Sequence, residues 1–329
     1  KYDDANIRTG DCLYALRRFD QAQDFYTDAV ANRAASADYA LFQKGVIQGL
    51  QNNMAGKEQT MQTLLASYQK SKYRADALFE SGKAAMSTGN NEKAIGFFNQ
   101  LNKDYPNSSY NSKALLNTAL IHFNSKEDEE ALTAYKQVIT KYPGTNEASE
   151  ALTGVRNIYV SNGNPDDYFA YLKTVPNASV STGTQDSITY ESAEQRYLKG
   201  NFDEAAADFK KYLDQFPKGA FRMNAVFYKS ECDFRNKKYD DALAGYSEIV
   251  DASKNIYTEK SLAKAGAIEF YNKNFENAIK HYRKLEETAD MLDNILAAQT
   301  GLMRSYQLTT QNDQAILYAQ KLLANEKVE

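Results

Sequence analysis

Apolar residues along this chain fall at helical spacing, three and four positions apart, and within that pattern one local arrangement keeps returning. It is an aromatic residue, Ala three positions later, and a second aromatic four positions beyond. Phe202, Ala205 and Phe209 show it, as do Tyr239, Ala242 and Tyr246; Phe275, Ala278 and Tyr282; and Phe19, Ala22 and Tyr26. Taken as a register mark, that Ala continues as Ala22, Lys57, Ala94, Ala131, Tyr168, Ala205, Ala242, Ala278 and Ala315, at steps of 35, 37, 37, 37, 37, 37, 36 and 37 residues. A period held through nine units predicts a repeat array.

Twelve residues before each mark stands Gly10, Gly45, Gly82, Ala119, Arg156, Ala193, Ser230, Gly266 or Met303, and seven of these nine are Gly, Ala or Ser. Two small positions on successive helices allow the close approach that antiparallel helices packed about 8–10 Å apart require. Each unit therefore reads as a helical hairpin. Gly89-Asn90-Asn91, Gly163-Asn164-Pro165 and Gly200-Asn201-Phe202 supply a left-handed helix end followed by residues able to cap the next helix. Between units, Tyr105-Pro106, Tyr142-Pro143 and Phe216-Pro217 should stop the second helix, because proline disfavours helical geometry in the residue before it.

These residues resemble the tetratricopeptide repeat family. In its 34-position scheme Gly82, Ala94, Phe98, Leu101 and Pro106 take signature positions 8, 20, 24, 27 and 32. The expected fold is all-α, a right-handed α-α superhelix of about nine helix-turn-helix repeats. Position 4, often Trp in the family, is Leu41, Leu78, Leu115, Leu152 and Leu262 here, and Lys57 and Tyr168 at the register mark predict altered packing in units two and five. The polar segment from Thr174 to Asp186, with Pro176, predicts an early end to a second helix. It divides repeats one to five (1–173) from repeats six to nine (187–329), as a loop in one continuous array or as a hinge.

Composition narrows the function. Charged residues make up 25% and the formal net charge is -4, which argues against nucleic acid and anionic membrane surfaces as partners. No apolar run approaches the roughly 18–20 residues of a membrane span. Lys1 stands where Met would begin a chain and the pattern is running by Asp3, which reads as a chain trimmed of upstream sequence, any export signal included. Two histidines, His122 and His281, lie four units apart and cannot act together; no nucleotide-binding, hydrolase or zinc motif appears, so neither enzyme activity, metal nor cofactor is expected. Cys12 and Cys232 occupy repeat position 10, a face that reads as buried, too far apart for a disulfide. The acidic run Glu127–Glu130 should open a second helix, where carboxylates suit the positive end of the helix dipole.

The resemblance implies that first helices line a concave groove with their positions 2, 5, 9, 12 and 13. Positions 5 and 12 hold Tyr14, Phe42, Phe79, Phe123, Tyr190, Tyr197, Phe227, Phe234 and Phe270. Such rings either grip a partner peptide or helix, or pack neighbouring repeats. The paired Lys and Asn of a chaperone-tail clamp are absent. The stretches Tyr105-Pro106-Asn107-Ser108 and Lys141-Tyr142-Pro143-Gly144 resemble the envelope branch of the family, which includes the Tol-Pal assembly protein and the lipoprotein of the outer-membrane barrel-assembly machine. They imply a non-enzymatic scaffold or adaptor in the periplasm or at the outer membrane. The alternatives are a carbohydrate-binding repeat protein, disfavoured by the absence of Trp, and a cytoplasmic co-chaperone-like scaffold.

Overall fold

Every small residue that marks the repeat sits where two helices cross. A computed structural model of the chain describes residues 2–325, and among them it contains eighteen helices and no strand. They follow one another as α1 (Tyr2–Ala15) and α2 (Phe19–Ala31), α3 (Ala37–Leu50) and α4 (Met54–Ser67), α5 (Arg74–Ser87) and α6 (Asn91–Asp104), α7 (Asn111–Asn124) and α8 (Asp128–Lys141), then α9 (Asn146–Ser161) and α10 (Pro165–Leu172). The last four hairpins are α11 (Thr182–Leu198) and α12 (Phe202–Gln215), α13 (Arg222–Arg235) and α14 (Tyr239–Asp251), α15 (Thr258–Tyr271) and α16 (Phe275–Thr288), α17 (Leu292–Leu308) and α18 (Asn312–Asn325). The expected all-α repeat fold is the fold found. The chain divides into two compact units, Lys1–Ile158 and Tyr159–Glu329.

Within each hairpin the packing logic is one of small against large. Ala22, Ala94, Ala131, Ala205, Ala242 and Ala278 are all at 0% exposure. A Cβ placed on Gly10 would lie 2.8 Å from the Tyr26 ring, and one on Gly266 2.7 Å from the Tyr282 ring, both inside van der Waals contact. Gly82 is covered by Phe98 and Gly45 by Met61 in the same way. The first-helix glycine is thus a socket for the side chain four residues beyond the mark, which lies on the second helix. This sets two opposed forces at Gly82: Ala is favoured over Gly in a helix by about 1 kcal/mol, but the ring leaves no room, and overpacking costs about 1–3 kcal/mol. Gly82→Ala should therefore destabilise, whereas Gly96→Ala on α6, where a Cβ meets nothing within 4 Å, should stabilise by up to about 1 kcal/mol. Chemical denaturation of both variants checks the sign at each site.

The turns joining first and second helices repeat one geometry. Gly89, Gly163 and Gly200 have φ of 78°, 76° and 83°, as their sequence context implied. In the other six hairpins the same left-handed place is held by Arg17, Asn52, Lys126, Lys237, Lys273 and Thr310, with φ between 58° and 63°, a conformation that Gly adopts freely, Asn tolerates and the other residues enter at a cost. Second helices α6, α8 and α12 are followed by the C-cap residues Tyr105, Tyr142 and Phe216, each the residue before a proline. Asp128, Glu129 and Glu130 form the first turn of α8.

Helix α10 does end early, at Leu172, but the polar stretch after it is not loop throughout. The Ser181 side chain accepts the Thr184 N–H at 3.1 Å and starts α11 at Thr182, so Asp186 is helical and only 7% exposed. Lys57 replaces the small residue at its mark without leaving the core: at 6% exposure its stem runs past Gly49 and its ammonium pairs with Glu80.

Cys232 is buried as expected, whereas Cys12 is exposed. Position 10 is covered by the hairpin that precedes it, and among the described residues none precedes α1. Burial pushes the Cys232 thiol up from 9.0 to about 12, with Asp233 and Glu231 adding to the effect. A thiol that stays protonated and covered does not react. One equivalent of a disulfide reagent should react with the native chain at pH 8 and two after denaturation, and Cys12→Ser should remove the native one.

Candidate interaction surface

The aromatic residues of the first helices fall into two groups that do different things. Those at position 5 stack on a ring that immediately precedes the next first helix. Phe42 meets Tyr73 at 5.3 Å between centroids, Phe79 meets Tyr110 at 4.7 Å, Tyr190 meets Phe221 at 4.7 Å and Phe227 meets Tyr257 at 4.3 Å. Phe79, Tyr190 and Phe227 are 6%, 5% and 4% exposed, so these rings are spacers between repeats. Their four partners stand outside the register pattern, and the sequence signal for them is a ring 30 or 31 residues after each position-5 ring.

The position-12 rings are half-buried and pair across the hairpin turn with the first residue of the second helix. Tyr14 meets Phe19 at 5.8 Å, Tyr197 meets Phe202 at 5.5 Å, Phe234 meets Tyr239 at 5.6 Å and Phe270 meets Phe275 at 5.4 Å. Phe123 has Asp128 in that place and no such ring pair.

In the second compact unit these pairs join into a ladder. Successive first helices touch, α11 with α13 and α15 with α17. The Arg235 guanidinium lies 4.7 Å over the Phe202 ring, Tyr239 reaches Tyr271 at 5.8 Å, and the Lys264 ammonium stands 3.9 Å over Phe234. Beside the ladder, at the C-terminal ends of α11, α15 and α17, Leu198, Tyr271 and Leu308 are 69%, 76% and 54% exposed. An apolar edge of this kind, fixed by rings on one side and open to water on the other, is what a partner side chain can cover.

Buried carboxylates hold the helices that carry this edge. Glu231, 4% exposed, accepts the Tyr246 hydroxyl at 2.6 Å and the Lys260 ammonium of the next first helix at 2.9 Å. The same positions recur at the other end of the chain, where Asp11 accepts the Tyr26 hydroxyl at 2.7 Å and the Tyr39 hydroxyl at 2.8 Å. Burial first, and the bond to Asp11 second, push Tyr39 up to about 12 and Tyr26 further, so both hydroxyls stay donors at physiological pH. A carboxylate at position 9 thus ties its own hairpin to the next.

His122 bonds Glu127 at 2.6 Å, while burial lowers the pKa of His281, and the two lie in different compact units. Among the described residues no three His, Cys, Asp or Glu side chains gather as a metal site, and no helix is long and apolar enough to cross a membrane.

Hairpins closed by small-on-large sockets and joined by stacked rings, with apolar side chains left open along helix ends, define a helical-repeat scaffold for protein interactions. Residues 71–162 match the family model YfiO, described as an outer membrane lipoprotein, and residues 190–255 match the tetratricopeptide repeat model. Both matches support the tetratricopeptide type of repeat in these stretches, and proteins of these families are generally scaffolds and not enzymes. No curated protein sequence matches the chain.

Similar solved structures include a tetratricopeptide repeat protein from Parabacteroides merdae ATCC 43184, at 16% identity over 81% of this chain and 99% of that one, with a TM-score of 0.39. MamA matches at 16% identity over 60% of this chain and 94% of its own, with a TM-score of 0.44. The Naa15/Naa10 assembly bound to HypK-THB matches at 10% identity over 98% of this chain and 58% of that one, with a TM-score of 0.49.

Proposed function

We propose that this chain is a non-enzymatic adaptor of the bacterial cell envelope, periplasmic or held at the outer membrane, which grips a peptide or helix of another protein along its first helices. The observation that carries the reading is the open edge of Leu198, Tyr271 and Leu308 beside the ring ladder of α11–α16. Of the rings first singled out, Tyr197, Phe234 and Phe270 belong to this contact surface. Tyr190 and Phe227 support it from below as spacers, Phe42 and Phe79 are spacers between repeats of the first unit, and Tyr14 and Phe123 are the position-12 rings of that unit. The envelope assignment is supported by the lipoprotein family match over residues 71–162.

The test is affinity capture from the source cells with the full chain and with a Leu198→Ser, Tyr271→Ser, Leu308→Ser variant. Because the three side chains are exposed, the variant should melt with the parent while losing the captured partner, and cell fractionation should place the chain in the envelope. Retention of the same partner by the variant, micromolar glycan binding that depends on Tyr271, or a cytoplasmic location would each overturn part of the reading.

A further inference from the structure

The loops that enter α15 and α17 expose a second apolar group, at the opposite ends of the helices that carry Tyr271 and Leu308. Ile256 is 86% exposed, Met291 63% and Leu292 59%. Nothing in the loop itself asks for these side chains. Asn255 and Thr258 shape the turn, Asn255 accepting the Tyr257 N–H at 2.9 Å and donating from its amide to the Ser253 carbonyl at 3.0 Å while the Thr258 hydroxyl accepts the Asn255 N–H at 2.9 Å, and Tyr257 is anchored by its stack on Phe227. Ile256 stands between them with its side chain in water, where a polar residue would serve the turn equally well.

The two loops are also tied into one surface. The Lys254 ammonium bonds the Asp290 carboxylate and the Thr288 carbonyl, each at 2.8 Å. The Glu259 carboxylate accepts the Asp290 N–H at 3.0 Å and the Asn294 amide at 2.7 Å. The apolar group is therefore preorganised, and its rim is acidic. Lys254 is neutralised by Asp290, Lys260 is drawn away to Glu231, and Lys284 turns to the Val250 carbonyl. Asp251, Glu287 and Asp293 are exposed and form no ion pair among the described residues.

We propose that this edge docks a second partner: a basic amphipathic helix that lays its apolar stripe on Ile256, Met291 and Leu292 and sets its Lys or Arg side chains against Asp251, Glu287 and Asp293. Charge complementarity selects that partner over an acidic peptide or an anionic lipid surface, which the rim repels. Helix α15 spans 14 residues, about 21 Å, between Ile256 at one end and Tyr271 at the other, so two partners can be held at once.

The experiment measures fluorescence anisotropy of a labelled helical peptide made of Leu and Lys, titrated with the full chain at low salt. The expected result is saturable binding that weakens tenfold or more in Ile256→Ser, Met291→Ser and likewise in Glu287→Lys, Asp293→Lys, with both variants melting as the parent does. Tyr271→Ser should bind as the parent does, which separates this surface from the one proposed above. Undiminished binding by the Ile256→Ser, Met291→Ser variant, equal binding of a Leu and Glu peptide, or loss on Tyr271→Ser would overturn it. So would Ile256-dependent association with neutral phosphatidylcholine vesicles, which would assign the edge to lipid.

Discussion

Phe98→Ala is expected to lower stability by about 3–5 kcal/mol, the range for deleting a fully buried aromatic side chain. Phe98 is at 0% exposure, in a cluster with Leu78, Ala85, Ala94, Leu101 and Ala114, and its ring fills the socket left by Gly82. The cavity cannot close easily, because the facing residue has no side chain to move into it. The same geometry predicts a reversal. Gly82→Ala destabilises the parent, but with the ring gone its helix-forming advantage of about 1 kcal/mol is all that remains, so in the Phe98→Ala background it should stabilise. Urea denaturation of the four members of this cycle measures the coupling; simple additivity would mean that the two side chains do not share one socket.

Asp186→Ala should cost about 3 kcal/mol, although the sequence places this residue in a polar stretch. Its carboxylate accepts the buried Tyr212 hydroxyl and, at 2.7 Å, the Ala220 N–H, while the Tyr212 oxygen accepts the Phe221 N–H at 3.0 Å. One carboxylate thus fastens α11 to α12 and to the turn that starts α13. Removing it strands two donors, one on a tyrosine at 0% exposure, and an unsatisfied buried donor costs about 1–3 kcal/mol. Burial and this bond both raise the Tyr212 pKa, as a hydroxyl held in its donor form requires. Asp186→Asn, which keeps one acceptor oxygen, should lose less than Asp186→Ala, and Tyr212→Phe combined with Asp186→Ala should lose less than the sum of the two. An Asp186→Ala variant with the parent's denaturation midpoint would show that the carboxylate carries no structural load.

Part of the ring ladder is legible in the sequence under another description, whereas the open edge of Leu198, Tyr271 and Leu308 is not. Phe202, Tyr239 and Phe275 are the aromatics that precede the register alanine, and they form the outer rungs of the ladder on Tyr197, Phe234 and Phe270. The position-5 and position-12 rings read alike in the sequence because both lie on first helices. They separate only when the ring 30 or 31 residues later is seen to cover one set and not the other. Cys12 and Cys232 share a repeat position and differ in exposure because the preceding hairpin covers Cys232, whereas among the described residues none precedes α1.

The hairpins, their period and the places where they turn were determined by the chain's own order of residues. Small and large side chains at fixed helical offsets, a left-handed residue at the turn and a proline after the second helix act within a few positions of each other, and such local forces can be read from a linear string. What tertiary structure decided was exposure. Whether Phe227 is a spacer while Tyr271 is open, whether Asp186 lies in a core, and whether Ile256 has anything to lean on each depend on atoms contributed by a hairpin some 30 residues away, and burial is a property of that neighbour as much as of the residue itself.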